Sequence, residues 1–263
     1  MAEAITGTNV AEAAAAPAPE IRRIDIADLR EAVSRGIDDF LAAPTQLVFL
    51  CIIYPVVGIA AARFASDGAM LPLIYPLVAG LSLLGPLTAV GLYEISRRRE
   101  QGLPASARDA LSVLNAPGSA GIAMLGLILL GLFFAWVVAA RLVFLHVFGP
   151  LRLTPSEFLA LLATPEGVRM ILIGHAVGFV FAVVALAITV VSFPLMLDRA
   201  VDIRTAISTS VRAVARNPMT MALWGLFVAF SLAAACLPLF VGLAVVMPVL
   251  GHATWHLYRR LVV

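Results

Sequence analysis

The side chains best suited to chemistry in this sequence are two histidines four positions apart, His252 and His256. On a helix that spacing puts both rings on one face, where they could hold a metal ion or face a haem. No Glu-x-x-His pattern and no cysteine cluster accompanies them, and His146 and His175 fall toward the opposite end of the helices read below. No metal and no cofactor is therefore assigned, and the rings are expected to pack their polar edges inside a helix bundle. Glu94 stands one turn before Arg97 and Arg98, where an acid either gates a pathway or forms an interfacial ion pair. Asp198 beside Arg199 has the same character. Ser82, Ser192 and Ser231 have no histidine and aspartate partners at matched depth, and phosphate loops, nucleophile elbows and paired carboxylates are missing. No catalytic residue is assigned, and the expectation is a protein that is not an enzyme.

Prolines supply a different kind of site. Pro55, Pro76, Pro86, Pro194 and Pro248 interrupt apolar runs, and each leaves a backbone carbonyl without its helical partner. Such breaks either line a substrate cavity or are kinks repaired by neighbouring helices. Pro86 and Pro248 hold matching places in two similar stretches, GLSLLGPLTAVGLYEISRRR at 80–99 and GLAVVMPVLGHATWHLYRR at 242–260. A shift of 162 residues superimposes Gly80 on Gly242, Tyr93 on Trp255, and Arg97 and Arg98 on Arg259 and Arg260.

These residues need helices that cross a lipid bilayer. Apolar residues make up 62% of the chain and charged ones 13%, with a mean hydropathy of +1.01; soluble domains average about 45–50% and about 25%. The apolar runs predict six spans, at about 45–64, 70–95, 118–147, 168–196, 218–237 and 239–258. Every basic residue is an arginine. Fourteen arginines lie in the stretches 20–44, 96–116, 197–217 and 259–263, and four (Arg63, Arg141, Arg152 and Arg169) lie on the other side. That asymmetry places both termini in the cytoplasm. Arg97, Arg98, Arg99, Arg259 and Arg260 are read as the residues that fix topology and meet lipid headgroups. The net charge of +2 is too small to argue for nucleic acid. Residues 1–23 read as a disordered cytoplasmic tail rather than a secretory signal, with a single membrane domain from 24 to 263. Cys51 and Cys236 differ in depth by roughly 20 Å, too far for a disulfide.

Two polar stretches carry a helical pattern. In 24–42, Ile26, Leu29, Val33, Ile37, Phe40 and Leu41 form an apolar stripe, while Asp25, Asp28, Glu31, Arg35, Asp38 and Asp39 take the wet face. This helix is expected along the cytoplasmic membrane surface or against the bundle. In 197–217 the stripe is Ile203, Ile207, Val211 and Val214. A shorter piece, Ala107, Ala110, Leu111 and Leu114, follows the second span. Each piece precedes a pair of spans, and REAVSRGIDDFLAAP from Arg30 resembles RTAISTSVRAVARNP from Arg204. The fold class expected is all-α: three helical hairpins in parallel repeat, each introduced by a cytoplasmic amphipathic segment.

Four motifs together resemble the DUF2189 integral membrane proteins: IYPVVG at 53–58, GPLTAVGLYEISRRREQGLP at 85–104, SFPLMLDR at 192–199 and GHATWHLYR at 251–259. The resemblance covers roughly residues 24–260. It implies a bacterial inner-membrane protein, supports the topology and brings no catalytic residues or established activity. The expected role is a non-enzymatic scaffold or accessory subunit whose partners are membrane lipids and another membrane protein or complex. The alternatives are a small-solute permease that uses the proline breaks, and a haem- or metal-binding respiratory accessory subunit.

Overall fold

The computed structural model describes residues 19–43, 72–116, 118–151, 153–199, 201–238 and 240–263. The first predicted span, with Cys51 and Pro55, lies outside them. The described helices are α1 (Ile26–Ala42), α2 (Ile74–Leu81), α3 (Gly85–Thr88), α4 (Val90–Glu100), α5 (Ser119–Phe148), α6 (Pro155–Leu162), α7 (Pro165–Thr189), α8 (Ser192–Asp198), α9 (Ile203–Arg216), α10 (Pro218–Cys236) and α11 (Leu243–Leu261). Two 3₁₀ turns, Ser82–Leu84 and Asp109–Asn115, complete the order.

Local chemistry accounts for the helix ends. Thr154 and Glu157 form a reciprocal capping box at α6, and the Thr164 hydroxyl accepts from the Gly167 N–H at α7, as the two Thr-Pro sequences predict. Asp25 caps α1 and Asp202 caps α9. Pro86 sits in α3, where the helix re-forms after the 3₁₀ turn, so the expected break in the second span is present. Pro248 lies inside α11.

Among the described residues, four helical stretches are long and apolar enough to cross a membrane: Tyr75–Glu100, Ser119–Phe148, Pro165–Asp198 and Pro218–Cys236. The last three leave large apolar side chains exposed, among them Phe134, Leu172, Phe179 and Phe230. Water would penalise that surface at about 25 cal/mol per Å², and lipid does not. The helix at the sixth predicted span, α11, is not among the four. Its second half carries two histidines and two arginines, and it is buried by protein: Trp255, Leu257 and Tyr258 are fully enclosed.

The core concentrates at the arginine-rich end of the bundle, where the same contact occurs three times. Gly36 of α1 lies on Ala253 of α11; a Cβ there would stand 2.6 Å from the Ala253 nitrogen. Gly91 of α4 lies in the same manner on Ala110 of the second 3₁₀ turn. One hundred residues further on, the Val191 N–H donates to the Ser210 hydroxyl of α9 (3.2 Å). Each pair fastens the end of an apolar stretch to a short polar segment. For α4 and α8 that segment is the next in the chain, and for α11 it is α1. The side chains follow the same recurrence: Tyr93, Phe193 and Trp255 are buried, as are Ile95, Leu195 and Leu257.

The packed faces of the amphipathic helices overlap their apolar stripes only in part: Leu29, Val33, Ile203, Ile207 and Val214 meet the core, and the rest of the contact is made by small or polar residues. α1 buries Leu29, Ala32, Gly36 and Asp39, while Ile26, Ile37 and Leu41 stay exposed. α9 buries Ala206, Thr209, Ser210 and Ala213 and leaves Val211 exposed. The 3₁₀ turn buries Val113 and exposes Leu111 and Leu114. Small residues permit close approach of backbones, so they take the protein side. Asp39, read from sequence as solvated, is thereby carried into the core.

Both described ends meet at this core. Ile21 pairs antiparallel with Val262, Arg22 donates its N–H to the Leu261 carbonyl (2.8 Å), and Val263 donates to Glu20 (3.1 Å). Buried Asn217 accepts from the Ile24 N–H (2.9 Å) and donates to the Arg22 carbonyl (3.0 Å). Residues 19–23, assigned to a tail by sequence, are therefore tied down.

Candidate functional site

Three helices deliver five polar side chains to one buried point. α1 brings Asp39, α4 brings Ser96 and Arg99, and α11 brings His252 and His256. The close seat of Gly36 on Ala253 sets the depth of Asp39. At the other end of α1, Arg260 holds Asp28 (3.5 Å) and Glu31. Ser96 and His252 are fully buried and Asp39 is 6% exposed.

The hydrogen bonds define where the protons sit. Asp39 Oδ1 accepts from Arg99 Nε (2.7 Å). Its Oδ2 accepts from Ser96 Oγ (2.6 Å) and from His256 Nε2 (2.8 Å). Burial pushes the Asp39 carboxyl up, but the bonds from His256, Ser96 and Arg99 outweigh it and hold the pKa down at about 2. The carboxylate is therefore ionised and accepts only. The single Ser96 proton goes to Asp39, so Ser96 Oγ must accept from His252 Nδ1 (2.8 Å). His252 therefore carries a proton on Nδ1. Its Nε2, buried, has no partner among the described residues.

Serine, histidine and aspartate thus meet, but not as a nucleophile site. The serine proton points to the acid rather than the imidazole, and no face of Ser96 reaches solvent. Among the described residues no group of three or more His, Cys, Asp or Glu side chains is arranged for a metal ion. His252 and His256 share a face as predicted, yet they turn to different partners, Ser96 and Asp39.

The threefold recurrence marks this cluster as local. Asp39 stands where α9 has Ala213, Ser96 where α8 has Met196, and His252 where α4 has Val90 and where Val190 follows α7. All of these are buried. The same interface closes elsewhere with apolar side chains, so closure alone does not require the polar set.

The other candidates resolve into ion pairs. Glu94 is clasped by Arg97 through Nε (2.7 Å) and Nη2 (2.9 Å). Arg98 pairs with Asp109 (3.2 Å) and Arg99 with Asp39. Arg259 reaches Glu100 (3.1 Å) and Asp198 (3.4 Å). All five arginines nominated for headgroup contact therefore meet carboxylates of their own chain. Tyr258 donates to Asp198 (2.6 Å) and Trp255 Nε1 to Glu100 (3.1 Å), closing the group around the end of α11. At the far end of the bundle, His175 Nε2 meets the Tyr75 hydroxyl at 3.2 Å with the rings stacked. None of the cluster's side-chain hydrogen bonds involves Pro86 or Pro248.

Sequence reasoning missed Asp39 and Ser96. The usable signal was the resemblance of α1 to α9, which assigns Asp39 the position of an apolar alanine. Ser96 was hidden by the arginines that follow it.

Residues 73–198 match the model of a family described as predicted integral membrane proteins, DUF2189. The match contains the motif at 85–104 and all but the last residue of the one at 192–199; those at 53–58 and 251–259 lie outside it. No curated protein and no solved structure matches the chain.

Proposed function

We propose, from the premise that residues 73–198 are those of a DUF2189 integral membrane protein, that this chain is a non-enzymatic scaffold or accessory subunit of a bacterial inner membrane. In this reading it crosses the bilayer six times as three parallel hairpins, with both termini in the cytoplasm. It contacts anionic lipid and a partner membrane complex. The six spans are the four described apolar stretches, α11 and the segment 45–64. The threefold contact at the arginine-rich end supports three repeating units, and the pairing of Ile21 with Val262 supports two ends on one side.

One observation carries the functional reading. At the arginine-rich end the two histidines, Ser96, Asp39 and the arginines of α4 and α11 are spent on partners within the chain, with Ser96 and His252 sealed, while α5, α7 and α10 keep large apolar residues on their outer surface. Neither of two recesses at this end, one beside Arg212 and one beside Arg97, reaches Ser96 or His252. A surface built this way meets lipid and protein.

Purification from the native membrane in mild detergent, with mass spectrometry of bound lipid and protein, tests this. Enrichment of anionic phospholipid over the bulk membrane is expected. Bound lipid of bulk composition, together with solute flux in proteoliposomes, would instead support the permease.

A further inference from the structure

We propose that Arg212 and Arg216, with the backbone of the N-terminal strand, form a seat for the phosphodiester of an anionic phospholipid. The proposal rests on the reading above that the arginine-rich end lies at headgroup depth.

The two residues differ from the arginines nominated by sequence. Among the described residues, neither has a carboxylate within ion-pair distance, whereas Arg97, Arg98, Arg99, Arg259 and Arg260 all do. Arg212 gives one nitrogen, Nη2, to the Pro19 carbonyl (3.3 Å) and the Thr209 hydroxyl (3.4 Å). A guanidinium has five N–H donors, so most of the fork is unspent. Arg216 follows one helical turn later, and both side chains project from the exposed side of α9.

They border a recess of about 540 Å³ with Pro19, Glu20, Ile21 and Ala215. Its wall is tied together by one buried side chain. Asn217, 5% exposed, holds the strand through Ile24 and Arg22 and holds α9 through the Ala213 carbonyl (3.1 Å). Its depth is set by the chain. α10, one of the four apolar stretches long enough to span, begins at Pro218, two residues after Arg216. Basic residues in that position meet the headgroup layer.

The charge balance selects the ligand. Two guanidiniums and the Glu20 carboxylate on the same recess leave one net positive charge. A phosphodiester such as that of phosphatidylglycerol carries one negative charge and neutralises it. A zwitterionic headgroup does not.

The test uses the full chain in detergent, titrated with phosphatidylglycerol or phosphatidylethanolamine of matched acyl chains and read by native mass spectrometry. Inorganic phosphate is added as competitor. Phosphatidylglycerol is expected to be retained preferentially, to resist millimolar phosphate, and to bind R212Q/R216Q roughly 10- to 30-fold more weakly, about what two surface arginines contribute. R97Q/R98Q should keep its lipid. Thermal unfolding of R212Q/R216Q should match the parent, since both side chains are exposed. Unchanged binding in R212Q/R216Q, or loss in R97Q/R98Q instead, would overturn the site while leaving the scaffold reading intact. Equal retention of both lipids would overturn the charge selection, and displacement by phosphate would make the ligand a soluble anion. If the parent binds no anionic lipid at all, the reading under Proposed function fails with it.

Discussion

Asp39→Ala will lower the unfolding temperature of the detergent-solubilised protein by roughly 10 °C. Removing one partner of a buried charged group costs about 3–5 kcal/mol, because the other partners remain buried and unpaired. For a chain of this size, each kcal/mol moves the midpoint by about 2–4 °C. Arg99, His256 and Ser96 all point at this one carboxylate, so the larger end of the range applies. Acid should have the same effect in the parent. A carboxylate held down at about 2 contributes stability that is complete above its ordinary pKa near 3.8 and is lost as the pH falls from there toward 2. The D39A protein should lose this part of its acid dependence. His252→Val is the internal control, since it copies Val90 and Val190 and removes an unpartnered nitrogen. It should unfold no earlier than the parent. An unchanged midpoint in D39A would show that α1 is not held by this cluster.

Gly36→Val should displace α1 from α11. A single Cβ would already stand 2.6 Å from the Ala253 nitrogen and 2.9 Å from its Cα, with backbone on both sides unable to give. Overpacking of this kind typically costs about 1–3 kcal/mol and more where backbone must move. The readout is limited proteolysis. Trypsin should cut at Arg30 and Arg35 in G36V at concentrations that leave the parent intact. Gly85→Ala serves as control, because nothing lies within 4 Å of a Cβ at that position. Equal protection of α1 in G36V and the parent would contradict the packing of α1 on α11.

Much of the framework was legible because the bilayer imposes it. Long apolar runs gave Ser119–Phe148, Pro165–Asp198 and Pro218–Cys236 to within a few residues, and Thr154-Pro and Thr164-Pro gave two helix starts. The packed faces of α1 and α9 were only partly legible, and the reason is physical. In water, the largest apolar side chains turn toward protein. At a membrane they can turn outward, and small residues mediate the protein contact. Of the stripe on α1, Leu29 and Val33 therefore face the core as read, but Ile26, Ile37 and Leu41 turn outward, and Asp39 was placed in solvent. The pair His252 and His256 was found by spacing, but its partners come from residues 39 and 96, far apart in the chain. Arg97 to Arg99 show a related limit: the arginine count reads charge per segment, not which charges are already neutralised by Glu94, Asp109 and Asp39.

The most direct test of the account is the location of the two chain ends in living cells. Fluorescent-protein and alkaline-phosphatase reporters fused at each terminus report cytoplasmic and external placement respectively. With Ile21 paired to Val262 and the arginines inside, both ends should give fluorescence and neither should give phosphatase activity. Phosphatase activity at either terminus would contradict the topology and, with it, the scaffold reading.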